Sequence, residues 1–285
     1  MGNLVLLDAP SNLGLRPPAE GAVPGCYKTP GVLRDLGILR RLGASDGGVV
    51  TPGRYVGTWQ PGDGVRNSAA IAAYTRALAA RIASVRAGGG FPVVLGGDCS
   101  ISLGAMLALR RCGRYGIAYL DGHDDFRHLP AAEHVGAAAG EDLAIMTGRG
   151  ADDLADIDGL RPYVRDEDVL VLGVRSAESA RLEAAGIAHV TSESLMAGTP
   201  VPPAFPDLDG FWVHVDIDVL DPAHVSAVDS PDPHGLDPST VVSVLRELLA
   251  RPGAAGFELT VFDPDLDPDG HQAALVADIL ERALR

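Results

Sequence analysis

Tyr115-Gly116-Ile117-Ala118-Tyr119-Leu120-Asp121-Gly122-His123-Asp124-Asp125 is a short apolar run that ends in three aspartates and a histidine. A run of this length, rich in aromatic and branched residues, suits a buried strand. The charged side chains then fall at the strand's carboxyl end, where open α/β sheets form their sites. The same layout recurs twice. Residues 91–95 lead into Gly96-Gly97-Asp98-Cys99-Ser100, and residues 211–215 lead into Asp216-Ile217-Asp218-Val219-Leu220-Asp221-Pro222.

Working outward, further apolar runs at 3–7, 168–173, 187–190 and 255–261 read as strands. Segments of helical period lie between them at 30–42, 67–87, 101–111, 142–147, 238–250 and 270–285, with another running through Ala185. Pro30 opens the first of these and Gly43 follows it, while Gly88-Gly89-Gly90 closes the second. Strands alternating with helices imply a mostly parallel sheet covered on both faces. The expectation is a single three-layer α/β domain over residues 1–285, with the proline-rich stretch 200–206 as a surface connection inside it. Neither Gly-x-Gly-x-x-Gly opening a helix nor a phosphate loop ending in Gly-Lys-Ser/Thr occurs, so the parallel sheet carries no nucleotide fingerprint.

The chain has 285 residues and a formal charge of -15, from 38 acidic against 23 basic residues. That balance argues against nucleic acid, whose phosphates need a basic face, and against a polybasic membrane anchor. No stretch approaches the roughly 20 apolar residues of a membrane span. The apolar run 4–7 is too short for a signal peptide. Three cysteines, Cys26, Cys99 and Cys112, form no disulfide framework and suggest a reducing cytoplasm. The sequence leaves the oligomeric state open, a monomer included.

A lone aspartate after a strand is most often a cap or turn residue, and Asp221-Pro222 reads that way. Cys99 alone would be a small buried apolar residue. The three clusters together are a different matter. Coulomb repulsion forbids several carboxylates at one point unless a cation neutralises them. Side chains at i and i+2 along an extended chain share a face. Asp121, His123 and Asp125 follow that period, and so do Asp216 and Asp218.

These segments resemble the arginase/agmatinase (ureohydrolase) family patterns G-G-D-H-S, D-A-H-x-D and D-x-D-x-x-D-P, in the same order. The segment Gly25–Pro30 with Leu33, Arg34 and Gly37, and Glu258 followed by Asp263-Pro264, are similar to weaker family features. The resemblance spans about residue 20 to the end. It implies a binuclear manganese hydrolase of a small guanidino-type substrate. Asp121 and Asp216 would bridge two Mn2+, Cys99 and Asp125 would complete one site, and His123 and Asp218 the other. Asp125 would also move a proton to the leaving amine. Glu258 would orient the guanidino group, Glu178 would contact an α-amino group, and Arg127 would contact a carboxylate. Carboxylate-rich ligation suits manganese, with zinc or cobalt as alternatives because a thiolate is softer.

The chain departs from the pattern in three places. Cys99 stands where the family has His, which either supplies a thiolate ligand or weakens that site. The loop after Asp125 reads Gly136-Ala137-Ala138-Ala139-Gly140-Glu141 where arginases carry a proton-shuttling His; His128 and His134 are the candidates to replace it. Val228–Gly235 keeps only the Pro and Gly framework of the family's loop. The first two departures resemble the hydroxyarginine hydrolases of antibiotic biosynthesis. They imply conversion of Nω-hydroxy-L-arginine to L-ornithine and hydroxyurea. The alternatives are release of urea from L-arginine or agmatine, or a catalytically silent metal-binding regulator.

Overall fold

The structure, a computed structural model, describes residues 2–128, 136–205 and 207–285. In chain order its elements are β1 (Asn3–Ala9), α1 (Thr29–Asp35), α2 (Ile38–Leu42), β2 (Ser45–Val49), α3 (Ser68–Ala87), β3 (Gly90–Gly96), α4 (Ser102–Arg110), β4 (Tyr115–Leu120), α5 (Asp142–Met146) and α6 (Asp152–Ala155). There follow β5 (Val169–Val174), α7 (Ala180–Ala185), β6 (Ala188–Thr191), α8 (Ser192–Met196), β7 (Gly210–Asp216), α9 (Pro238–Ala250), β8 (Ala254–Thr260) and α10 (His271–Leu284). The strands form one sheet in the order β2-β1-β3-β8-β7-β4-β5-β6, with every pairing parallel. Among the described residues, no helix is long and apolar enough to cross a membrane.

Strand alternation divides the core into two layers. Leu4, Leu6, Val93, Leu95, Phe211, Val213, Val215, Phe257 and Leu259 face α9 and α10. Leu7, Val94, Ile117, Tyr119, Val171 and Trp212 face α3 and α4. The helix α9 shows why the sequence folds this way. Asp237 caps it by accepting from Thr240 N at 2.7 Å, Pro238 follows, and Val241, Val244, Leu245 and Leu248 turn inward. Each such side chain contributes roughly 1.5–3 kcal/mol when fully buried.

Two local expectations change. The helix expected over 30–42 is broken, because Gly37 adopts φ 76° and separates α1 from α2. The strand β2 was not expected at all. Its sequence, Ser-Asp-Gly-Gly-Val, has no apolar period, and it is an edge strand held by backbone pairing to β1. The connection 200–206 does run without regular structure as far as Phe205, and Pro206 lies outside the described residues.

The strand order positions the site. After β3 the chain crosses over the places later taken by β8 and β7 to lay down β4, then returns to fill the gap. The carboxyl ends of β3, β8, β7 and β4 therefore lie side by side at a topological switch point, where α/β sheets open a crevice.

Candidate metal centre

Each cluster is built by a strand that ends early. At β3, a Cβ on Gly97 would lie 2.0 Å from Ser11 O, so only glycine allows the backbones to touch there. Asp98 N bonds Ser11 O at 3.1 Å and Val261 N bonds Gly97 O at 2.7 Å, which pins the turn. The Asp98 carboxylate accepts from Ser11 Oγ at 2.8 Å and Ser100 N at 2.9 Å, and is thereby committed to the turn. Cys99 is left facing the crevice. At β4, Asp121 Oδ1 accepts from His123 N at 2.6 Å. Asp124 points away, gripped by Arg181 through two 2.6 Å bonds. Asp125, at φ 42°, turns back toward the cluster in a conformation a non-glycine residue seldom adopts. At β7, Asp216 Oδ1 accepts from Asp218 N at 2.8 Å, and Cys99 Sγ donates to Asp216 Oδ2 at 2.8 Å.

Ligand atoms of Cys99, Asp121, Asp125 and Asp216 all lie within 4.8 Å of one another, and so do those of Asp121, His123 and Asp218. The six residues named from the sequence thus converge into two groups that share Asp121. His123 Nδ1 lies 2.9 Å from Asp218 Oδ2, and its Nε2 is held 2.9 Å from Asp232 Oδ2. A carboxylate on the outer nitrogen orients an imidazole toward a metal.

The electrostatics call for a cation. Burial, reinforced by Asp125 and Asp218, pushes Asp121 well above the usual carboxylate range. Burial together with Asp218 and Asp121 does the same to Asp216, and burial with Asp142 to Asp125. Burial and Asp216 push the Cys99 thiol up. Burial would lower His123, but Asp218 outweighs it and raises the imidazole to about 11. Burial would raise Asp218, yet His123 and Arg175 hold it low. Asp121 Oδ2 is buried without a hydrogen-bond partner among the described residues. An oxygen-rich donor set with one sulfur and one imidazole, crowded enough that its acids resist ionising side by side, fits divalent cations, whose charge would favour their ionised forms.

The cluster forms one end of a cavity of about 820 Å³. Cys99, His123, Asp125, Asp216, Asp218 and Asp229 line it, and so do Arg16, Arg66 and Arg127. Burial and Asp218 raise Asp229 to about 6. Ala137, Ala139 and Gly140 form the wall where the family resemblance places a shuttling histidine. His128 turns its Nδ1 to Phe126 O at 3.0 Å and is not part of the lining; His134 lies outside the described residues.

Two expected substrate contacts fall elsewhere. Glu258 sits mid-strand in β8, fully buried, with Oε1 2.8 Å from His214 Nδ1. At the end of that strand the residue that reaches the cavity is Val261. Glu178 belongs to the network of Arg181 and Asp124, 3.4 Å from Arg181 Nη2, and does not line the cavity. Arg127 does line it.

Sequence reading also missed supporting residues. Tyr119 Oη lies 3.1 Å from Asp125 and 3.0 Å from Asp142, and Asp142 also accepts from Ser102 Oγ at 2.6 Å. Buried Arg175 donates to the carbonyls of Asp218 at 2.8 Å and Asp232 at 2.7 Å. Its one signal was Gly122, whose missing Cβ makes room for the guanidinium.

The chain belongs to the arginase family, which it matches over residues 24–285. It is a metal-dependent hydrolase of that family. It is 29% identical over 230 residues to the arginase of Bacillus caldovelox, covering 73% of this chain and 75% of that one. The crystal structure of that arginase superposes with a TM-score of 0.86 at 25% identity, covering 100% and 98% of the two chains. An arginase of Agrobacterium fabrum is 28% identical over 94% of this chain and 88% of its own length. A formimidoylglutamase of Aeromonas salmonicida is 27% identical over 74% of this chain and 67% of its own.

Proposed function

We propose that the chain is a binuclear manganese amidinohydrolase that converts Nω-hydroxy-L-arginine and water to L-ornithine and hydroxyurea. The observation that carries the reading is one cavity bearing both the ligand cluster and three arginines, Arg16, Arg66 and Arg127. Such a cavity suits a substrate with an amidine at one end and a carboxylate at the other. It suits decarboxylated agmatine poorly.

Bound divalent cations supply a nucleophile from water at neutral pH and neutralise the developing charge. Cys99, Asp121, Asp125 and Asp216 would hold one cation, and Asp121, Asp216, His123 and Asp218 the other. Asp125 takes a proton from the attacking water and passes it to the departing δ-amine; the Tyr119 hydroxyl and Asp142 beside it steady that carboxylate. Arg127 pairs with the substrate carboxylate.

The choice of a hydroxyguanidine follows from what the wall lacks. The loop at Ala137–Gly140 offers no imidazole for proton transfer. The end of β8 presents Val261, since the Glu258 carboxylate is buried below. A site whose described residues place no imidazole in this wall and no carboxylate from β8 on the amidine favours a head group that is less basic than guanidinium and more electrophilic. General acid–base help is typically worth about 10²–10⁴-fold. The arginases among the relatives favour L-arginine as a second reading.

The test is steady-state kinetics on both substrates at saturating manganese, with ornithine and hydroxyurea or urea measured. The expected kcat/KM for the hydroxylated substrate is at least about tenfold higher, or roughly 1.4 kcal/mol in barrier. Equal or better turnover of L-arginine returns the chain to the second reading. Elemental analysis of Asp121→Ala, expected inactive and metal-poor against two metals per wild-type chain, tests the binuclear centre.

A further inference from the structure

Directly beneath the cluster, one layer down the sheet, lies a row of polar side chains, two of which, His214 and Glu258, have no part in the proposed reaction. Tyr119, His214 and Glu258 are register partners on β4, β7 and β8, and all three are fully buried. The His214 ring stacks on Tyr119, with centroids 4.2 Å apart and planes 9° from parallel. Its Nδ1 is 2.8 Å from Glu258 Oε1. Its Nε2 is buried with no hydrogen-bond partner among the described residues, a rare state for an imidazole nitrogen in a core. Ligand atoms of His214, Cys99 and Asp121 lie within 4.8 Å of one another.

We propose that His214 is a metal ligand, its Nε2 binding the cation held by Cys99 and Asp121, with Glu258 as the positioning residue that sets its tautomer. The inference rests on the metal-centre reading above and adds a donor to it.

Three features support the assignment. The first is direction. Successive residues alternate faces along β7, so His214 and Asp216 share one, and the ring stands under the point where Asp216, Cys99 and Asp121 meet. The second is tautomer. A Glu258 carboxylate on Nδ1 holds the proton on that nitrogen, which leaves a lone pair on Nε2. Of the ligand atoms beside it, the Asp121 carboxylate is an acceptor and the Cys99 thiol donates to Asp216. A cation is the partner that satisfies Nε2 and Asp121 Oδ2 together, and both are without one. The third is chemistry. A carboxylate–imidazole–metal series raises the basicity of the ligating nitrogen and locks the ring plane. Here the Tyr119 face locks it further. The chain would thus provide an imidazole to the same cation from β7, while Cys99 takes the position at the end of β3.

Histidine ring-15N-labelled protein loaded with 113Cd2+, a soft cation suited to a thiolate, tests this by NMR. One-bond coupling to 113Cd marks each ligating nitrogen. Of the eight histidines, two are expected to be coupled, one of them through Nε2 with its Nδ1 protonated. His214→Gln is expected to remove that resonance and weaken metal binding at least about tenfold. Glu258→Gln, which can still accept from Nδ1, is expected to keep the coupling with affinity lowered within the about 10–100-fold range of such outer partners. If His214→Gln does not fold, the wild-type spectrum and that of His123→Gln, expected to retain the Nε2-coupled signal, decide the matter. A single coupled histidine, lost in His123→Gln, overturns the inference and leaves the metal centre standing. No coupled histidine at all overturns both.

Discussion

Gly122 and Arg175 occupy one space: a Cβ at position 122 would lie 1.0 Å from Arg175 Nη1 and 3.0 Å from the Asp218 carbonyl. The guanidinium fits under the turn after β4 only because the glycine has no side chain. From there it holds the Asp218 backbone and helps keep that carboxylate ionised. One small residue just after β4 thereby sets the position of a candidate ligand just after β7.

Gly122→Ala is therefore expected to destabilise the fold by about 1–3 kcal/mol or more through overpacking. Displaced Arg175 would also release Asp218, so metal content should fall. Urea unfolding and elemental analysis check both effects. A variant of wild-type stability with full metal content would show that the guanidinium has room to move.

Cys99 is buried at the floor of the cavity beside Asp216 and Thr260. If it ligates, Cys99→Ala should lower metal affinity, while Cys99→His should keep two metals per chain. Bound metal should also slow alkylation of this thiol, because its lone pair is committed. Mass spectrometry of the peptide carrying Cys99, after alkylation with and without metal, reads this directly. Equal modification in the two states would make the cysteine a bystander.

Arg127 lines the cavity, whereas Glu178 is drawn off by Arg181. Arg127→Ala is expected to raise KM for the amino-acid substrate by about 10–100-fold, the worth of a charged hydrogen bond of about 1.5–3 kcal/mol. Glu178→Ala should leave KM within about twofold, in line with a surface ion pair. The reverse pattern in the two variants would place the amino-acid end of the substrate on the α7 side.

Glu141 has a folded-state pKa raised by burial from 4.5 to about 7, with a backbone contact and Arg127 opposing. An acid raised in this way contributes stability that is full below about pH 4.5 and lost as pH rises through 7. The loss amounts to about 3 kcal/mol. Glu141→Gln removes the ionisation, so in metal-free protein its stability relative to wild type should climb between pH 4.5 and 8. Denaturant unfolding at both ends of that window gives the difference. A difference independent of pH would mean that Glu141 finds a charge partner.

Much of the fold was legible because its causes are local. Apolar runs alternating with helical period specify strands and helices, and their alternation specifies a parallel sheet. Five of the six candidate ligands were legible for the same reason: Asp121, His123 and Asp125, and Asp216 and Asp218, each recur at a spacing of two beyond a strand, while Cys99 stood out only through its place in a family pattern. What stayed hidden were relations between strands. Ser45–Val49 has no pattern of its own and becomes a strand by pairing with β1. Asp124 and Asp125 look alike in sequence, yet one is turned out to Arg181 and the other in to the cluster.

Glu258 is the clearest case. Its sequence neighbours mark a carboxylate on a late strand, but its depth depends on where β8 ends between β3 and β7. That register lifts Val261 to the cavity and leaves Glu258 a layer below, against His214 and over from Tyr119. The order β3-β8-β7-β4 brings together residues distant along the chain, and no short-range periodicity encodes it. The types of side chain available for chemistry are thus a property of the linear chain. Their partners, and hence their protonation and reach, arise only when the strands pair, because burial and charge act through space and not along the backbone.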